Sequence, residues 1–153
     1  MRDNQISKLY RAEDAVFSPN GRKLISTSKC NEFINKIIRQ GYYNDNGGFR
    51  IIRSRYPKID SQCATWNLTG NLLTLPPWAK CKQVIIHEMS HALCDHIAMN
   101  RHKFRETVEP HGKEFCTIYL NMVHCYISKK IALELEESFT KFGIKYTRAN
   151  LNF

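Results

Sequence analysis

The chain has 153 residues, 42% hydrophobic and 24% charged, a length and mix that suit one compact domain over residues 1–153 with a real apolar core. No run approaches the roughly 18 apolar residues that a membrane span needs, and MRDNQISKLY is too polar for an export signal, so a cytoplasmic protein without membrane contact is expected. The 23 Lys and Arg against 14 Asp and Glu leave a formal charge of +9, which favours contact with polyanions, DNA or RNA first.

Taken in order, Ile6, Leu9, Tyr10, Val16 and Phe17 recur at helical spacing, and Ser18-Pro19-Asn20-Gly21 closes that first helix with turn chemistry. A second helix follows, with Ser28 as N-cap, Phe33, Ile34, Ile37 and Ile38 on one face, and Gly41 past its end. Residues 42–48 read as a polar loop. Residues 49–55 (FRIIRSR) and 62–67 (QCATWN) read as strands, and LTGN turns the chain into a third at 72–75. A small three-stranded antiparallel sheet is the economical expectation.

Pro76 and Pro77 stop the last strand and announce a helix over about residues 79–99. A charged connection, 101–109, leads to Pro110, which opens a helix striped by Phe115, Ile118, Tyr119, Met122 and Val123. The last helix starts near Ser128, turns Ile131, Leu135, Phe139 and Phe142 inward, and stops at Gly143. The class is therefore α+β. Six cysteines without a single CxxC are read as reduced thiols, mostly core filler, and not as a zinc ribbon.

The helix at 79–99 carries VIIHEMSHAL, an apolar run containing HExxH. His87 and His91 are one turn apart on one face, which lets two imidazole nitrogens reach a single Zn²⁺ at about 2.0–2.1 Å. Glu88, one position round, can lean over water on the metal without ligating it. Catalytic zinc usually takes three protein ligands and keeps one position open, so a third ligand is required. His96 lies about 140° around the helix from His91, on the wrong side. Position 97 is Ile, so the extended HExxHxxGxxH pattern fails. His102 would reach only if its loop folded back, Glu106, Glu109 and Glu114 serve only if a carboxylate closes the site, and His124 is too far along its helix. His111, at the head of the next helix with Gly112 allowing close approach, is the better choice.

HEMSHAL followed by PHGKEF resembles the SprT-like metallopeptidases, a branch of the gluzincin-like zincins, whose pattern is HExxH on one helix and HGxx[FW] at the head of the next. The specific likeness covers residues 84–115. The segment Ala12-Glu13-Asp14 and the overall size are also similar to small metallohydrolases of bacteria and phages. The resemblance implies a minimal zincin-like fold, with one Zn²⁺ per chain on His87, His91 and His111, Glu88 as general base, and a peptide or protein substrate. Twenty positions separate His91 from His111, a longer connection than the pattern suggests, and neither a C-terminal zinc ribbon nor a DNA-recruiting tail is visible.

In such a site the metal lowers the pKa of its water toward about 7 and Glu88 shuttles the proton. The strand at 72–75 is expected to be the edge along which an extended peptide lies. Tyr119, Tyr126, Tyr146, Arg101 and Arg105 are candidates for oxyanion stabilisation, and Glu114 for supporting a ligand histidine. Trp66 and Trp78 read as core or rim, and Cys94 as packing. Two other readings stand beside the peptidase: a non-catalytic zinc module that binds nucleic acid through its basic surface, and a zinc hydrolase of another class, such as an amidase.

Overall fold

A computed structural model of the protein describes residues 3–18, 22–60, 62–100 and 109–147. The elements in chain order are α1 (Ile6–Phe17), α2 (Thr27–Arg39), the short α3 (Tyr42–Asp45), β1 (Arg53–Arg55), β2 (Thr65–Asn67), β3 (Leu72–Thr74), α4 (Lys82–Asn100), α5 (Lys113–Tyr126) and α6 (Lys129–Phe142). The amphipathic helices bury most of the stripes expected of them: Leu9, Val16 and Phe17 in α1 and Phe33, Ile34 and Ile37 in α2. Ile6 and Ile38 are only partly buried and Tyr10 is exposed, while Ala12, Glu13 and Cys30 join the buried faces. Helix α4 differs: its buried residues run almost continuously from Gln83 to Leu93, so it is enclosed on nearly every side. It packs on α5, α2 and β2, while α5 packs on α6 and α6 on α1. That layering puts the HExxH turn in the interior, between α1 and α5.

Helix ends follow local chemistry. Ser128 caps α6 by accepting from the Ile131 N–H, and Gly143 closes it in the left-handed region at φ 67, where a side chain would be strained. The cap of α2 falls two residues earlier than expected. Ser26, not Ser28, is extended and accepts from the Lys29 N–H at 3.2 Å, so the helix starts at Thr27. Ser26→Ala is therefore expected to cost about 1 kcal/mol in denaturant or thermal unfolding, while Ser28→Ala stays within about 0.5 kcal/mol. Pro77 opens a 3-10 turn over Pro77–Ala79, which delays the start of α4 to Lys82.

Two expectations need correction. Residues 42–48 are not simply a polar loop: Tyr42–Asp45 form a short helix and Tyr43 is fully buried. Its hydroxyl donates to the Phe49 carbonyl, and its backbone N–H donates to the Tyr126 hydroxyl at 2.9 Å. The sheet is also mixed, in the order β1-β3-β2. The β2–β3 hairpin is antiparallel as predicted, with Trp66 opposite Leu73, but β1 pairs with β3 in parallel. The hairpin's return strand, β3, thus lies between β1 and β2.

All six cysteines are free thiols; Cys30, Cys81 and Cys116 are buried as expected, whereas Cys63 and Cys125 are exposed. No described helix is long and apolar enough to cross a membrane.

Candidate metal centre

His87 and His91 project from consecutive turns of α4 with ring centroids 5.2 Å apart. His111 comes from the turn before α5, where the Gly112 N–H closes onto the Glu109 carbonyl at 3.0 Å. Gly112 permits this turn: a Cβ there would lie 2.9 Å from the Glu109 Cβ, so the close approach comes from its own turn and not from a second element. Phe115, one turn into α5, forms the floor of the cluster, with its ring 4.4 Å from His91, 5.0 Å from His111 and 5.1 Å from His87.

The three Nε2 atoms converge. His87 Nε2 lies 3.3 Å and His91 Nε2 3.1 Å from His111 Nε2. Two nitrogens held about 2.0–2.1 Å from a tetrahedral ion are about 3.3 Å apart, so the donor set fits a zinc-sized ion. Among the described residues these three histidines form a group that could hold a metal ion. His87 and His111 are buried, and His91 is only partly so.

Glu88 is 8% exposed, and the backbone N–H of Trp66 is the polar neighbour that favours its ionised form. Burial pushes its carboxyl up to about 7, against the opposing pull of His87 and the Trp66 N–H, while Glu13 adds to the rise.

The carboxylates that meet the histidines were not anticipated. Glu13 Oε1 lies 2.8 Å from His87 Nδ1, and Asp3 Oδ2 lies 2.6 Å from His111 Nδ1. Burial alone would raise the Glu13 carboxyl, but the adjacent His87, with further hydrogen bonds, holds it below the usual carboxylate range. Burial likewise lowers His87, and Glu13 overrides it to raise His87 above its ordinary 6.5. His111 is lowered, chiefly by burial. A local signal for Glu13 existed: it sits on the apolar stripe of α1 with Leu9 and Val16, and a carboxylate on a buried face must have a partner. Tyr10, also on α1, was missed as a neighbour; its half-exposed ring stands 6.1 Å from His87 and 5.9 Å from His111.

The remaining candidates fall away from the cluster or outside the described residues. Arg101, His102, Arg105 and Glu106 lie outside them. His96 packs edge-on against Phe49 at 4.8 Å, away from the other histidines. Glu114 is exposed on the first turn of α5, so Glu13 and Asp3 take the supporting place expected of it. Glu109 accepts the Asn4 N–H. Tyr119 is fully buried beneath His87, Tyr126 hydrogen-bonds the carbonyls of Ile37 and Gln40, and Tyr146 donates to Glu136. None of these three faces an open site. Burial drives the Cys94 thiol far up, which keeps it a packing group. Trp66 is core and donates to Asp95 at 2.9 Å, and Trp78 is a half-exposed rim residue.

No curated protein and no solved structure matches the chain. A family profile described as the SprT-like family matches residues 31–138, a span that contains α4, the HExxH turn and His111. The chain belongs to the SprT-like family.

Proposed function

We propose that the protein is a zinc-dependent metallopeptidase in which His87, His91 and His111 hold one Zn²⁺ and Glu88 is the general base. The observation that carries this is the convergence of three imidazole nitrogens at tetrahedral spacing beside a buried carboxylate one residue from the first of them. When bound, Zn²⁺ supplies Lewis-acid polarisation of the scissile carbonyl and lowers the pKa of the attacking water toward about 7. Glu88 takes the water's proton and returns it to the leaving amine. Burial raises the Glu88 carboxyl, so it takes up a proton more readily than an exposed glutamate does.

The substrate edge is β2, not the 72–75 strand. Strand β3 is central and paired on both sides, whereas β2 lies at the edge of the sheet, and Trp66 within it reaches Glu88 through its N–H. An extended peptide added along β2 would pass Glu88. Free thiols throughout fit a reducing compartment such as the cytoplasm. The test is hydrolysis of an unstructured reporter protein. Activity is expected to vanish on chelation and to return with about one equivalent of Zn²⁺. Zinc-loaded protein that cleaves no backbone peptide bond in a broad peptide panel would sink the peptidase reading and leave an amidase of non-peptide substrates or the non-catalytic module.

One observation favours contact with nucleic acid in addition. A groove of about 500 Å³ between α2 and the start of α4 is lined by Arg22, Lys23, Lys29, Lys36 and Lys82 against a single acid, Glu32. Arg22 is engaged by Asp14 at 2.9 Å, which leaves four lysines for phosphates. Single-stranded DNA is therefore expected to bind with a slope of log K against log salt of about −3, and Lys29→Ala with Lys36→Ala should flatten it. A salt-independent affinity would remove nucleic acid from the partners and leave only protein substrates.

A further inference from the structure

The metal-centre reading explains the three Nε2 atoms but not why two of the rings are met from behind by carboxylates of one helix and its lead-in. We infer that α1 is a working part of the metal centre. Glu13 and Asp3 act as positioning residues that hold His87 and His111 in the Nδ1-protonated tautomer, so that both Nε2 lone pairs face one ion. The inference rests on the proposed zinc site and deepens it.

A neutral imidazole carries one proton, and the nitrogen that keeps it is the one with a hydrogen-bond acceptor. Glu13 Oε1 stands 2.8 Å from Nδ1 of His87, and Asp3 Oδ2 stands 2.6 Å from Nδ1 of His111. Each ring therefore donates backward to a carboxylate and presents its other nitrogen to the centre. Glu13 is only 3% exposed, a costly place for a charge unless its partners stay fixed. Gln83 Nε2 donates to the same oxygen at 3.2 Å, so the carboxylate is held as well as holding.

The helix that delivers these groups is itself tied to the far side of the site. Gln5 Nε2 donates to the His111 carbonyl at 3.0 Å and to the Lys145 carbonyl at 3.3 Å. Ser138 Oγ donates to the Ala12 carbonyl at 3.1 Å. Asp3 serves twice, because its second oxygen accepts the N–H groups of Gln5 and Ile6 at the start of α1. Docking of α1 and orientation of His111 are thus one event. Opposite a dication, the two carboxylates also supply charge compensation that three neutral imidazoles lack. Helix α1 precedes the stretch matched by the family, 31–138, which contains all three histidines and neither carboxylate.

The test uses the full chain with Zn²⁺ as the probe. Affinity is measured by competition with a chromophoric chelator, and ring tautomers by ¹⁵N–¹H correlation of the histidine side chains. Glu13→Gln keeps an acceptor and is expected to weaken zinc about 10-fold, Glu13→Leu about 100-fold, and Asp3→Asn about 10-fold. His87 in Glu13→Leu, and His111 in Asp3→Ala, should lose the fixed Nδ1–H signature, because neither replacement leaves an acceptor behind the ring. If Glu13→Leu does not fold, Asp3→Ala decides, since the Asp3 side chain is 18% exposed and lies outside the apolar core. Variants that melt earlier yet bind zinc within about threefold of the parent, with tautomers unchanged, would assign α1 a purely structural role and overturn the inference. A parent chain that takes up no zinc would bring down the metal centre itself, a result distinct from the first.

Discussion

Glu88→Gln is expected to lower peptide hydrolysis by about 10²–10⁴-fold while one zinc per chain stays bound. The substitution is close to isosteric, and the amide oxygen keeps a polar atom facing the Trp66 N–H. What it loses is the capacity to take a proton. Burial pushes Glu88 up to about 7, and a dication placed beside it stabilises the ionised form and pulls that value down. The base works only when ionised, so kcat/KM of the parent enzyme should rise with pH and level off below about 7. The Gln variant should lack that limb in whatever activity remains. Two measurements decide it: zinc content by elemental analysis, and the pH profile of cleavage of a reporter peptide. A Gln variant within about tenfold of the parent would remove Glu88 from the mechanism, even with the metal site intact.

What the sequence discloses here is whatever a local period can encode. The His87–His91 pair and the buried face around it follow from 3.6-residue spacing, and His111 follows from a ligand requirement together with a short motif at a helix start. The α6 cap at Ser128 and its stop at Gly143 are equally local. Strand order is not. Whether β1 joins the hairpin beside β2 or beside β3 depends on a connection that alternation of side chains does not constrain, and so the parallel pair and the central position of β3 were misread. The supporting carboxylates are the extreme case. Glu13 acts 74 positions from His87 and Asp3 108 positions from His111, across a packing of α1 on α6 that no spacing rule announces. Glu13 still left a trace, as a charge on an otherwise apolar stripe; Asp3, ahead of the helix, left none.

His111→Ala is expected to weaken zinc by about 10²–10³-fold, because a binding energy of roughly 10–16 kcal/mol shared among three or four ligands puts about 3–4 kcal/mol on each. The effect on the metal-free fold should be much smaller. In the fold itself the loss is one imidazole ring, packed 5.0 Å from Phe115 and hydrogen-bonded to Asp3. Stability should therefore separate the two roles. The parent chain gains a zinc-dependent rise in Tm that grows with free zinc, as any ligand of the native state produces, and the variant loses most of that rise while its metal-free Tm stays near the parent's. The alternative outcome is equally definite. If His111→Ala keeps the parent's affinity and its zinc-dependent Tm, the third ligand is not at the head of α5, and the choice passes to His102 or Glu106, in the connection between α4 and α5. In that case Asp3 would be orienting a ring that binds nothing, and its pairing with His111 would serve only to fasten the start of α1.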